Sequence, residues 1–171
     1  MTQIPDTVGF AVMTVSDTRD THSDRTGPWL REQIAAEGHA VIAHAIVPDQ
    51  ISNIQSQLRS WIADPEIHAI IATGGTGLTG RDVTPEAFKP LYDKEMDGFS
   101  AVFHAISFKS VGVSTIQSRA TAGIAAGTYL FAIPGSMGGC KDAWNHVLRD
   151  EFDRSHRPCN LVELIPRLTE R

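Results

Sequence analysis

The chain reads as an α/β domain built on a mostly parallel sheet that is covered on both faces. Three observations predict this. Short, apolar, β-rich runs alternate with segments of helical periodicity, as in strand–helix–strand units. The strand runs are apolar at nearly every position, as expected for strands buried on both faces. No repeat, low-complexity tract or linker interrupts the 171 residues, so one domain spans 1–171.

Each element has a local reason. "VGFAVMTV" (8–15) is the first buried strand. The polar stretch 16–26 is a loop. "GPWLREQIAAEG" (27–38) is a helix, with Pro28 in its first turn and Gly38 at its C-cap. "AVIAHAIV" (40–47) is a strand stopped by Pro48-Asp49. Residues 50–64 place Ile51, Ile54, Leu58, Trp61 and Ile62 at helical spacing. "IHAIIAT" (67–73) is a third strand. "TPEAFKPLYD" (84–93) opens a helix, with Thr84 as N-cap and Pro85 at N1. Residues 97–126 read as mostly helical, with a break near Gly112. "TYLFAI" (128–133) is another strand, "PGSMGG" a second glycine loop, and 140–152 a closing helix.

Composition removes several classes of function. Hydrophobic residues make up 42% and charged residues 20%, an ordinary globular balance. A net charge of −5 argues against a broad nucleic-acid or anionic-membrane surface. Cys140 and Cys159 are far apart, which fits a reducing compartment without a disulfide framework. The histidines lack zinc-ligand spacing. There is no signal-peptide pattern, and no run approaches the ~20 apolar residues of a membrane span. A cytoplasmic location is expected.

Parallel strands carry ligands at their C-terminal edge. The loops leaving the four strands begin Ser16-Asp17, Pro48-Asp49, Gly74-Gly75-Thr76-Gly77 and Pro134-Gly135-Ser136. Hydroxyls, carboxylates and two glycine loops are therefore expected in one crevice. Gly75 to Gly80 formally matches GxGxxG, but it follows the third strand and its helix waits until Thr84, which disfavours a nicotinamide site. Arg81-Asp82 stands where a Walker loop needs Lys-Ser/Thr, which disfavours a P-loop nucleotidase. What remains is a backbone cradle for phosphate with a carboxylate at its rim. Asp82 repels phosphate but suits Mg²⁺, which takes one or two carboxylates plus substrate phosphates. Asp49 offers the second carboxylate, and Arg81 a positive partner for a phosphoryl group.

Plainer readings stand beside these. The glycines also suit a tight connection, Asp49 an Asx turn, Asp82 a helix N-terminus and Ser136 an N-cap, while Ser16-Asp17 also reads as plain loop. The three tryptophans read as core or interface residues and both cysteines as inert small residues.

"TGGTGLTGRDVTPEAF" resembles the molybdopterin-binding domain family of molybdenum cofactor biosynthesis, the MoaB/MogA type. "TVSD" (14–17), "IVPD" (46–49), "DGF" (97–99), "SRATAG" (118–123) and "IPGS" (133–136) extend the likeness over most of the chain, and "ISFKSVGVSTIQSRATAG" with "RPCNL" is similar to the MoaB branch. The resemblance implies a three-layer α/β/α sandwich and a Mg²⁺-dependent reaction in which the terminal phosphate of molybdopterin attacks the α-phosphorus of ATP. It makes Asp49 and Asp82 the catalytic, metal-associated pair. It assigns Gly74, Gly75, Thr76 and Gly77 to phosphate binding, with Ser16, Asp17, Arg81, Ser118, Arg119, Gly135 and Ser136 as further substrate contacts. Met137 replaces the second proline of the family's Pro-Gly-x-Pro. The partners implied are small molecules, without nucleic acid or membrane, and a homo-oligomer, either a trimer or a hexamer of two trimers. Phe99, Val102, Phe103, Ile106 and Phe108 suit either that interface or cover for their own sheet. Within the family, a catalytically silent carrier and an oligomeric scaffold are the alternative functions.

Overall fold

The computed structural model describes residues 4–170; residues 1–3 and 171, at the ends of the expected span, lie outside the described residues. Its sheet has six strands in the order β2-β1-β3-β6-β5-β4. The strands are β1 (Gly9–Val15), β2 (Ala40–Val47), β3 (Ala69–Thr73), β4 (Lys94–Glu95), β5 (Thr121–Ala125) and β6 (Thr128–Ile133). β1 pairs in parallel with β2 and β3, and β3 with β6, whereas β5 and β4 extend the sheet antiparallel.

Side-chain alternation divides the core into two layers. Phe10 and Val12 of β1 join Tyr129, Phe131 and Ile133 of β6 on one face. That face is covered by α1 (Thr26–Ala36), α4 (Asp97–Val111) and α5 (Met137–Ala143), through Leu30, Ile34, Phe99, Phe103, Cys140 and Ala143. The chain continues from α5 through a π-helical turn, Trp144–Leu148, into α6 (Arg149–Glu151). Ala11, Met13 and Val15 face the other way with Leu130 and Ala132, under α2 (Ile51–Ile62) and α3 (Thr84–Phe88). This is the three-layer sandwich. Trp61 and Trp144 are buried and Trp29 packs against the core, as their helical spacing implies.

Three local expectations change. First, the helix expected to run from 97 to 126 ends at Val111, passes through a 3₁₀ turn at Gly112–Gln117, and gives way to β5. β5 reads "TAGIA", with little β-branched content to mark it. Its hairpin to β6 turns at Ala126-Gly127, both at positive φ (47° and 88°), where Asn-Gly would have been legible. Second, Thr84 does not cap α3. Val83 holds that position, and the Thr84 hydroxyl donates to the Gly74 carbonyl at 2.8 Å. Third, α5 begins at Met137, three residues early, with Ser136 as an N-cap accepting from Gly139 N–H at 3.1 Å.

One helical stretch, Asp97–Gln117, is 21 residues long and has the length and composition of a membrane span, although the sequence shows no uninterrupted apolar run of that length. Phe99 and Phe103 bury on the sheet. Val102, Phe108, Val111, Val113 and Ile116 face outward, Val113 being 73% and Ile116 76% exposed. The stretch is therefore apolar on two sides, and only one is covered by its own chain.

Candidate functional site

The four parallel strands end together, so their loops meet. Ser16 N–H donates to Val47 O at 2.9 Å and Gly74 N–H to Ile133 O at 3.0 Å, which extends the ladder into the loops. Asp17 and Asp49 then bond reciprocally: Asp17 N–H donates to Asp49 Oδ2 at 2.8 Å, and Asp49 N–H to Asp17 Oδ1 at 3.0 Å. This leaves Asp49 Oδ1 turned toward the glycine loop, where a Cβ on Gly75 would lie 3.2 Å from it.

The glycine loop follows β3. Gly74 (φ 107°) and Gly75 (φ 66°) adopt backbone geometry that side chains resist. The N–H groups of Gly75 and Thr76 have no acceptor among the described residues. Asp82 curls back on this loop, its Oδ2 accepting from Thr79 N–H at 2.9 Å and from the Thr79 hydroxyl at 2.7 Å.

Two hollows meet at Gly75, Asp82 and Gly135. One, about 360 Å³, includes Ser16, Asp17, Arg19, Asp49 and Arg81 in its lining. The other, about 450 Å³, lies against the Gly112–Gln117 turn and includes Thr76, Gly77, Thr115, Ser118 and Ser136. Asp49 and Asp82 thus border one crevice. Burial, then the charge of Asp82, raises the Asp49 carboxyl above its ordinary range. At Asp82 burial pushes the same way, but hydrogen bonds from Thr79 and Gly77 and the Arg119 charge outweigh it and hold the carboxyl low. No group of three or more His, Cys, Asp or Glu capable of holding a metal occurs among the described residues. Two carboxylates lining one hollow suit a hard cation completed by substrate oxygens rather than by a protein cage.

Several side chains expected at the substrate are engaged elsewhere. The Ser16 hydroxyl accepts from Arg19 N–H at 3.1 Å within its own loop, and Arg81 pairs with Asp17 while its side chain stays 74% exposed. Arg119 turns to the loop's own carbonyls, Gly77 O at 2.8 Å and Asp82 O at 2.7 Å, and to Glu86. Sequence reasoning missed Arg19, a cation in the crevice. Its guanidinium donates to Gly135 O and Thr26 Oγ1, both at 3.0 Å, and lies 3.6 Å from the buried carboxylate of Asp24. The one available signal was an arginine three residues after Ser16, in a stretch that reads as polar filler. Cys140 is buried, with burial pushing its thiol up to about 11, and is chemically quiet.

Fold and site together define an α/β protein whose sheet edge carries a glycine loop beside two carboxylates. The family model described as a probable molybdopterin binding domain matches residues 11–154. The chain belongs to that family, one of molybdenum cofactor biosynthesis. It is 43% identical over 151 residues to molybdenum cofactor biosynthesis protein B of Escherichia coli (strain K12), covering 88% of this chain and 89% of the relative. A crystal structure of a molybdenum cofactor biosynthesis protein B superposes with a TM-score of 0.87 at 33% identity, covering 99% of this chain and all of the other. The tungsten cofactor synthesizing protein MoaB from Pyrococcus furiosus gives 0.78 at 35% identity, over 86% of this chain and 93% of its own.

Proposed function

We propose that this protein adenylylates molybdopterin. The terminal phosphate of the pterin attacks the α-phosphorus of ATP, the bond to the β-phosphate breaks, and pyrophosphate leaves. The observation that carries this reading is the meeting of two hollows at Gly75, Asp82 and Gly135, space for two reactants to touch at one backbone cradle.

Both nucleophile and leaving group belong to substrates, so the protein's task is positioning and charge compensation. The N–H groups of Gly75 and Thr76, without an acceptor among the described residues, are donors for phosphate oxygens. Gly135, its carbonyl held by Arg19, lines both hollows beside the glycine loop. Arg81 reaches the crevice from an exposed position and can exchange Asp17 for a phosphate. Asp49 and Asp82 would hold Mg²⁺, which supplies charge neutralisation for the two phosphates. A side chain at Gly77 would fill that space, since a Cβ there would fall 2.7 Å from Asp82 Oδ2.

The deciding experiment incubates the protein with molybdopterin and Mg-ATP, and separately with Mg-GTP, and identifies the pterin product by mass. Adenylyl-molybdopterin with stoichiometric pyrophosphate is expected from ATP. Retained molybdopterin without pyrophosphate would leave a carrier instead.

The protein also self-associates on this reading, through the outward apolar side of α4 and the turn after it. An exposed patch carrying Phe108, Val113 and Ile116 is costly to leave in water. Sedimentation of the parent chain is expected to show a trimer or hexamer, and Phe108→Asp to shift it toward monomer. A monomeric parent chain would refute this assignment.

A further inference from the structure

Arg119 bridges parts of the site that are distant in the chain. Its N–H donates to Thr76 O at 2.8 Å, its Nε to Gly77 O at 2.8 Å and its Nη2 to Asp82 O at 2.7 Å. Its Nη1 donates to the Glu86 carboxylate. The loop it grips has few anchors of its own. Leu78 is 65% exposed and a Cβ on Gly80 would meet nothing within 4 Å. Thr79 fixes the Asp82 carboxylate, but only to the loop itself.

We propose that Glu86 and Arg119 are positioning residues that together set the glycine cradle and Asp82 for adenylyl transfer. This rests on the reading above and adds Glu86, which sequence reasoning did not single out. Glu86 sits in the first turn of α3, the helix whose Thr84 hydroxyl holds Gly74 O at the start of the loop. α3 therefore grips the cradle at both ends, through Thr84 at Gly74 and through Glu86 and Arg119 at Gly77 and Asp82. Behind Arg119, the Ser118 carbonyl lies 2.9 Å from His104 Nε2, which ties the strut to α4. A guanidinium is a planar fork, so its carboxylate partner sets the direction of its remaining donors. Without Glu86 the fork is free to turn to water or to substrate phosphate, and the carbonyls of Gly77 and Asp82 lose their tether. The pair is partly solvent-exposed, so its effect lies in geometry rather than in overall stability.

The test compares the parent chain with Glu86→Gln, Arg119→Lys, the double variant and Glu86→Asp. For pyrophosphate release, kcat is expected to fall by about 10–100-fold in each of the first two, as for reacting groups displaced by about an ångström. KM for ATP should stay nearly unchanged. The double variant should be no slower than the slower single one, because both break one strut. Glu86→Asp should recover part of the rate. Amide exchange across 76–82 should accelerate in Glu86→Gln while the sheet is unaffected. Unchanged kcat, a loss confined to KM, or losses that multiply in the double variant would overturn the proposal. If the parent chain transfers no adenylyl group, the functional reading fails by itself. Amide exchange then decides the strut: acceleration confined to 76–82 supports it and unchanged exchange refutes it.

Discussion

Asp49→Ala is expected to abolish measurable ATP-dependent pyrophosphate release, a fall on the order of 10²–10³-fold or more, while molybdopterin binding is largely retained. Asp49 Oδ2 is committed to the Asp17 N–H, and Oδ1 is the oxygen facing the cradle. Alanine removes both without disturbing β2, since the carboxylate lies beyond the strand's end. Fold stability should not suffer. The Asp49 carboxyl is raised by burial and by Asp82, so the folded state holds that proton more tightly than the unfolded chain does. Ionising it costs stability as pH rises above the ordinary carboxylate range, and the cost is absent in acid. Removing the group should therefore leave the melting temperature at neutral pH unchanged or slightly higher. Turnover at the parent rate would sink the catalytic assignment, and a clear fall in melting temperature would sink the stability prediction.

Gly74→Ala should have the largest effect on stability of any change in the cradle. Gly74 has φ 107°, and a Cβ there would fall 2.3 Å from the Val15 carbonyl, a backbone atom of β1 that cannot swing away. Nor can the residue retreat. Its N–H is bonded to Ile133 O, its carbonyl to Thr84, and a Cβ on Gly135 would already sit 3.0 Å from Gly74 Cα. Backbone strain and overpacking together imply a loss of about 2–5 kcal/mol, a fall in Tm of roughly 5–15 °C for a chain of this size. Gly80→Ala is the matched control, because nothing lies within 4 Å of a Cβ there. Thermal unfolding of both variants checks this: equal melting temperatures would mean that Gly74 is not constrained as described.

Much of the site was legible because its markers are local. Two glycine loops and an aspartate after Pro48 each stand just past a recognisable strand, an Arg-Asp pair closes the first of those loops, and parallel pairing brings strand ends to one edge. The plainer readings also hold in places: Ser136 caps a helix and Ser16 bonds within its own loop. What escaped were partnerships. Thr84 satisfies the cap pattern, yet its hydroxyl is taken by Gly74, a carbonyl that no cap rule weighs. The family resemblance makes Arg119 a substrate contact, but carbonyls 42 and 37 residues away claim its donors. β5 was lost because small residues carry little strand signal and an Ala-Gly hairpin does not announce itself.

Taken alone, the amino-acid order determined the α/β class, the four parallel strands and the glycine loops that end them, because periodicity and glycine chemistry act over a few neighbouring residues. Only the folded chain decided the rest: that Asp49 and Asp82 border one crevice, that Arg19 and Arg119 brace loops, and that α4 keeps an uncovered apolar side. Where a charged or hydroxyl side chain finds its partner depends on distances across the sheet, and those distances exist only after the strands have paired.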